Sequence, residues 1–367
     1  MEKRLDTLWA LGIGFRRKRC QFTLDVTFAE PQKGTRISEV FFELYPDLPS
    51  QNGFVSVRSE LLREVISHLV QVEAGESSFI KILEQFADYQ SPQDSYHETD
   101  IILMVLYDPK QSVESAEEAY FKLHCLSHRI AKPHDVSMDG AFGKLTNVAW
   151  SNQGPLLPED VSQIRWDSLC KGESLQITHV DKFPYLVNYH LPEGVRIVSG
   201  SQVRLGAHLG HGTTVMPAGY VNFNAGSSGN AMIEGRVSAG VFIGDDTDIG
   251  GGASIMGTLS GGNEHVISVA ENCLLGANAG IGISLGRGCT VEAGLYITAG
   301  MKISLVDGKN QPIDLAGARV EEGHNIFKAM QLSGREYCLF IRDSRTGQIL
   351  CKPNKKVIEL NEALHAN

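Results

Sequence analysis

The string Met232-Ile233-Glu234-Gly235-Arg236 sets a carboxylate beside a glycine and two positions from a guanidinium. Such a glutamate can act as a general base or as a nucleophile that accepts an acyl group. Arg236 can hold a ligand carboxylate through paired hydrogen bonds. Spacing alone leaves a plainer alternative open, a solvent-facing glutamate with an arginine nearby. Histidines are the other candidate bases. His208 and His211 flank Leu209 in AHLGHG; with Leu209 inward, both are expected to point outward as surface residues. His265 closes the stretch Gly257 to His265, whose composition suits either an active-site lid or a plain surface loop. Of the three it is the better-placed base. His208, His211 and His265 together could supply three zinc ligands, but no outer-sphere pattern accompanies them. The string Ile249-Gly250-Gly251-Gly252-Ala253-Ser254 lacks the Lys-Ser/Thr of a phosphate loop. Corner glycines explain it better, and their bared amides can still hold a thioester carbonyl.

These residues ride on a six-residue beat. Ile197, Val203, Leu209, Val215 and Val221 stand six apart, and the beat returns at Val237, Ile243, Ile249 and Ile255. It continues at Val269, Leu275 and Ile281, then at Leu285, Val291, Ile297 and Ile303. Neither a helix near 3.6 residues per turn nor a simple strand gives this spacing. A hexapeptide period marks a parallel β-helix of roughly 18 residues per triangular coil, about six coils between Gly194 and Ser304. Solenoids of this kind commonly carry acyl-transfer sites. The beat slips between Val221 and Val237, between Ile255 and Val269, and between Ile281 and Leu285. Such slips predict extruded loops or bulges, the usual place for sites on a rigid frame.

Residues 1–190 read as mixed α/β. Strands are expected at Phe41 to Tyr45 and at Ile101 to Tyr107, and helices at Ser59 to Val72, Ser115 to Ile130 and Pro158 to Leu169. Asp135 to Pro158 reads as a connector, and Arg16 to Arg19 as a solvated basic loop. Beyond Leu305 a helix at Asn325 to Leu332 and a strand at Tyr337 to Arg342 suggest a cap over the open end of the solenoid. A formal charge of −10 argues against a broad nucleic-acid surface. No stretch is long and apolar enough for a membrane span, and the N-terminal charges follow the apolar run rather than precede it. The seven cysteines are scattered without CxxC spacing, as expected of reduced thiols in a cytoplasmic protein.

The runs GTTVMPAGYVNFNAG, MIEGRVSAGVFIGDDTDIGGGASIMGTLSGG, CLLGANAGIGISLG and VEAGLYITAG, with the ending LNEALHAN, resemble the tetrahydrodipicolinate N-succinyltransferase family in its larger form. The match is dense from Val203 to Ile303. The first 190 residues carry little of the resemblance, which adds the left-handed sense of the coil to the expected organisation: an N-terminal α/β domain over residues 1–190, a left-handed parallel β-helix over 191–304 and a capping region over 305–367. The resemblance implies a cytoplasmic homotrimer that moves succinyl from succinyl-CoA to the amine of ring-opened tetrahydrodipicolinate, in lysine biosynthesis. Glu234 takes the catalytic position, described in the family as carrying an acyl anhydride. Donor-binding positions fall on Arg236, Gly251, Ser254, Ala277, Glu292, Ala293 and Gly300. Further along they fall on Lys328, Ile341, Arg342, Asp343 and Ser344. The family can bind magnesium through an aspartate and a glutamate, but Ser201 and Ala218 stand there, so no metal and no tightly bound cofactor is expected. Two other readings stay open: an acetyl-CoA-dependent acyltransferase on a related amino dicarboxylate, and a non-catalytic β-helical scaffold. A β-helical carbonic anhydrase would not need the large flanking regions.

Overall fold

A computed structural model describes residues 7–33, 36–45, 47–72, 78–90, 96–257 and 266–354. The chain divides into two compact units, Met1–Pro184 and Tyr185–Asn367.

The first unit is built on a four-stranded antiparallel sheet of order β2-β1-β4-β3, from β1 (Ala10–Arg19), β2 (Phe22–Gln32), β3 (Gly53–Ser56) and β4 (Glu98–Leu106). Residues Ile101–Leu106 of β4 are all buried because both faces of the sheet are covered. Leu11, Ile13, Leu103 and Val105 pack with α1 (Arg36–Leu44), α2 (Ser59–Val72) and α3 (Ser78–Asp88). On the other face, Phe121 of α4 (Ala116–Ser127) lies where a side chain at Gly12 would be. Ser115 caps α4 by accepting a hydrogen bond from the Glu118 amide. A second sheet of order β6-β5-β7 uses β5 (Val148–Ser151), β6 (Gly154–Leu156) and β7 (Ile177–Asp181). A short helix α5 (Ala141–Lys144) precedes this sheet, and α6 (Val161–Cys170) lies between β6 and β7.

Three expectations fail in this unit. Phe41 to Tyr45 is not a strand: Phe41 and its neighbours belong to α1, whose apolar residues meet the sheet from one side. The connector at Asp135 to Pro158 holds α5, β5 and β6. The basic run is not a solvated loop but the end of β1. Arg16 is only 8% exposed. It donates Nε and Nη2 to Asp100 at 2.8 and 2.6 Å and Nη1 to Glu117 at 2.7 Å. Arg17 pairs with the fully buried Asp25. Buried charges persist only when paired and hydrogen-bonded in this way.

The second unit carries a left-handed parallel β-helix with three faces. The first face stacks Ile197, Val215, Ile233, Ile249, Leu275 and Val291. The second stacks Val203, Val221, Val237, Ile255, Ile281 and Ile297. The third stacks Leu209, Ser227, Ile243, Val269 and Leu285. Left-handed backbone at the corners is taken by Asn224, Asp246, Asn272 and Asn278 as well as by glycine. Beside the first-face ladder, Thr213, Thr247, Cys273 and Cys289 form a buried column whose hydroxyls and thiols donate to corner carbonyls of Gly210, Ala270, Gly286 and Arg335.

The first expected slip is not an extruded loop. The beat runs on through Ser227 and Ile233, and only the step from Ile233 to Val237 shortens, to four residues. Ser227 occupies an aliphatic position at 0% exposure, its hydroxyl bonded to Thr213 Oγ1 at 2.7 Å. A second short step joins Ile281 to Leu285. The real excursion lies between Ile255 and Val269, and its residues 258–265, which include His265 and most of the expected lid, fall outside the described residues. At the far end the first-face sheet continues through Cys338–Arg342, whose Leu339 pairs with Thr290. That strand runs antiparallel to Ile349–Pro353, which pairs in turn with Lys302–Leu305, and Ile326–Lys328 forms the edge of the sheet. Asn325 to Leu332 is not a helix but a strand, Ile326–Lys328, followed by one 3-10 turn over Ala329–Leu332.

Candidate active site

The edge between the first and second faces is built from successive corners, 198–202, 216–220, 234–236, 250–254, 276–280 and 292–296. Most join ladder residues six apart. The corner at Glu234 joins residues four apart, two residues shorter than those beside it, and so forms a notch in the series. Main-chain hydrogen bonds fix it: Glu234 N–H to Ile249 O at 2.8 Å, Arg236 N–H to Ala253 O at 2.7 Å, and Gly252 N–H to Glu234 O at 3.2 Å. Gly235 is required, because a methyl group there would meet Ala253 O at 2.5 Å and Ile249 Cγ2 at 2.8 Å. The half-buried Glu234 carboxylate lies over the next corner, with Oε2 3.4 Å from where a methyl group on Gly251 would sit.

Arg236 opens the following strand and is exposed. Its side chain lies along the second face and donates Nε and Nη2 to Ser254 Oγ at 3.1 and 2.7 Å. Ser254 is therefore an acceptor that holds the guanidinium, leaving Nη1 for a ligand anion. The outward row of this face reads Tyr220, Arg236, Ser254, Gly280 and Tyr296. The notch, this row and the flanking corners combine a carboxylate, a fixed cation and bare main chain along one side of the prism. That is what acyl transfer to an amine requires: alignment, a proton acceptor or nucleophile, and donors for a developing oxyanion.

The other expected donor positions border the same face. Gly251, Ala277, Glu292 and Ala293 lie in successive corners of the notched edge. Glu292 accepts a hydrogen bond from the Arg342 amide at 2.7 Å, and Glu292, Ala293, Arg342 and Ser344 line a cavity of about 250 Å³. Gly300 lies in an exposed corner at the opposite border. Hydrogen bonds from Ala329 and Met330 to Met301 O and Ala299 O bring Lys328 beside that corner. Asp343 and Ile341 do not join them. Ile341 is half-buried and pairs with Leu350. Asp343 faces a separate cleft with Glu322 and Gln348. Hydrogen bonds from the Arg345 and Thr346 amides bind its carboxylate in a turn and hold its pKa below the ordinary value.

Ser201 and Ala218 fall in the two corners preceding Glu234 on this edge. Ser201 bonds to Ser199 at 3.0 Å, and Ala218 brings only a methyl group. Neither suits a hard cation. His208 is not a surface residue: it is buried, with its ring 5.6 Å from that of Phe242. His211 is exposed and packs against Gly194. The two therefore occupy different surroundings. Among the described residues, no group of three His, Cys, Asp or Glu side chains is placed to hold a metal. Reading residues for chemistry passed over Tyr220 and Tyr296, since aromatics at strand positions read as packing. Their register with Arg236 is the signal that finds them.

Comparison with known proteins agrees with this architecture. Residues 54–143 match a family profile described as tetrahydrodipicolinate N-succinyltransferase N-terminal, and residues 145–185 match its middle counterpart. Residues 266–299 match the hexapeptide repeat of succinyl-transferase. A 2,3,4,5-tetrahydropyridine-2,6-dicarboxylate N-succinyltransferase of Pseudomonas putida is 42% identical over 365 residues, 99% of each chain. The Vibrio cholerae protein of that name is 41% identical over 94% of this chain and 99% of its own. A crystal structure from Campylobacter jejuni, described as a 2,3,4,5-tetrahydropyridine-2-carboxylate N-succinyltransferase, superposes with a TM-score of 0.84 at 30% identity over 97% of each chain. With full-length relatives at this identity and a matching fold, the chain belongs to the tetrahydrodipicolinate N-succinyltransferase family.

Proposed function

We propose that this chain transfers the succinyl group of succinyl-CoA to the amino group of 2-amino-6-oxopimelate, the ring-opened form of tetrahydrodipicolinate, on the route to diaminopimelate and lysine. The observation that carries the reading is the Glu234 carboxylate in a notch beside Arg236, itself held in place by Ser254. Donor and acceptor are both anionic, and Arg236 offsets that charge at the reacting end. Arg342 and Lys328 lie toward the far end of the same face, where cations suit the phosphates of the coenzyme.

The reaction forms one bond and breaks another. Overall, a bond forms between the amine nitrogen and the succinyl carbonyl, the C–S bond breaks, and the proton lost by the amine ends on the departing coenzyme thiol. Glu234 can serve in two ways. As a base it removes the proton of the attacking amine. As a nucleophile its oxygen takes the succinyl group as a mixed anhydride, which the amine then opens, returning the carboxylate. The covalent route is the one the family resemblance favours. A homotrimer sets the second face of one prism against its neighbour and completes the crevice. The site needs no metal and no resident cofactor, and the cytoplasm supplies both substrates.

Thiol release from succinyl-CoA, with and without acceptor, tests the reading. Acceptor-dependent release is expected, with acetyl-CoA a poor donor and Glu234→Ala inactive but still assembled. A peptide acylated at Glu234 after incubation with succinyl-CoA alone supports the covalent route. A fully active Glu234→Ala enzyme would remove the residue from the mechanism.

A further inference from the structure

Tyr296 stands in the outward row of the second face, in register with Gly280 and continuing the line of Arg236 and Ser254. Its ring does not project straight out. It lies across Gly280, so that a methyl group on that glycine would overlap ring carbons Cδ2, Cε2 and Cζ. Gly280 is buried beneath it, while Tyr296 remains 39% exposed. The glycine thus seats the ring flat on the face and leaves its other side open. A ring held this way is an apolar shelf rather than core packing.

The shelf is placed on a specific path. The acyl end of the donor is read at Glu234 and the phosphate end near Arg342 and Lys328. Glu234 precedes the strand of Arg236, and Tyr296 lies three strands further along, about 14 Å at the usual spacing. A chain linking the two ends must cross the strands of Ser254 and Gly280 and pass the ring. Immediately before Tyr296, Leu295 lines the same cavity as Glu292, Ala293 and Arg342. The exposed Gly300 corner follows in the chain. We infer that Tyr296 is a donor-binding residue whose ring face packs against the apolar stretch of the pantetheine arm, setting affinity for the acyl donor without taking part in chemistry. This rests on the reading of the chain as a CoA-dependent acyltransferase.

Titration calorimetry with CoA itself, together with steady-state kinetics, separates the inference from that reading. Tyr296→Ala is expected to weaken CoA binding and raise the succinyl-CoA KM by about tenfold, the worth of one aromatic contact. The kcat and the acceptor KM should stay within about twofold of wild type. Tyr296→Phe should match wild type, since the ring and not the hydroxyl is used. Gly280→Ala keeps the tyrosine but lifts its ring, and should reproduce the Tyr296→Ala binding defect. Wild type that binds CoA but does not turn over would sink the proposed reaction, while a CoA defect in Tyr296→Ala would still support the shelf. Unchanged CoA binding in Tyr296→Ala, an equal rise in acceptor KM, or loss of assembly by light scattering would overturn the inference.

Discussion

Two glycines in consecutive corners should respond in opposite ways to one added methyl group. At Gly235 the methyl meets a main-chain oxygen at 2.5 Å and an inward isoleucine methyl at 2.8 Å, and neither can swing aside. The neighbouring coils must part at the corner that carries Glu234. Overpacking of this kind costs about 1–3 kcal/mol. For a unit of this size that lowers the Tm by roughly 2–12 °C. A shift of about 1 Å in the carboxylate should also cost on the order of a hundredfold in rate. At Gly251 the only neighbour within reach is Glu234 Oε2, at a comfortable 3.4 Å, and the backbone there is not left-handed. Gly251→Ala should therefore keep its stability within about 0.5 kcal/mol. Its methyl nevertheless fills the space against the carboxylate, so kcat/KM should fall at least about tenfold. Thermal unfolding followed by circular dichroism, paired with thiol release from succinyl-CoA, measures both quantities. A Gly235→Ala protein with the wild-type Tm would refute the packing argument. A Gly251→Ala protein with wild-type kcat/KM would show that no reacting group passes over that corner.

Two further outcomes follow from buried groups. Burial alone would raise the Asp100 carboxyl, but hydrogen bonds from Arg16 and Ser56 and the Arg16 charge outweigh it and hold the pKa below its ordinary value. Its stabilisation is therefore complete above the usual aspartate range near 4 and is lost as pH falls through the depressed folded value. Urea midpoints measured from about pH 6 downward should drop less steeply for Asp100→Asn than for wild type. Cys20 and Cys170 are exposed and the other five cysteines are buried. An aromatic disulfide reagent should titrate two thiols in the native protein and seven after denaturation; rapid reaction of more than two would contradict the burial of the other five.

Much of the solenoid is legible in sequence because each rung demands a branched aliphatic at a fixed interval. The reading fails where a rung breaks that chemistry. Ser227 hides a strand because its hydroxyl is satisfied inside by Thr213, a partner 14 residues away that no local pattern reveals. With that rung hidden, the short corner at Glu234 reads as a loop. The N-terminal unit was less legible for a related reason. Arg16 and Arg17 look solvated until Asp100, Glu117 and Asp25 are brought beside them by sheet pairing and helix packing. Phe41 and Phe42 suit a strand by composition, but tertiary packing places them on a helix. At the site, Glu234 and Arg236 stand out by type. The role of Ser254 in holding Arg236 follows only from their shared register.

The chain leaves the prism after Ile255 and rejoins it at Val269, yet both residues keep their stacking partners in the coils on either side. The Ile267 amide closes back on Gly257 O at 3.2 Å, so the gap is bridged by the frame itself. The coils on either side of that departure therefore hold one another in line through main-chain pairing alone.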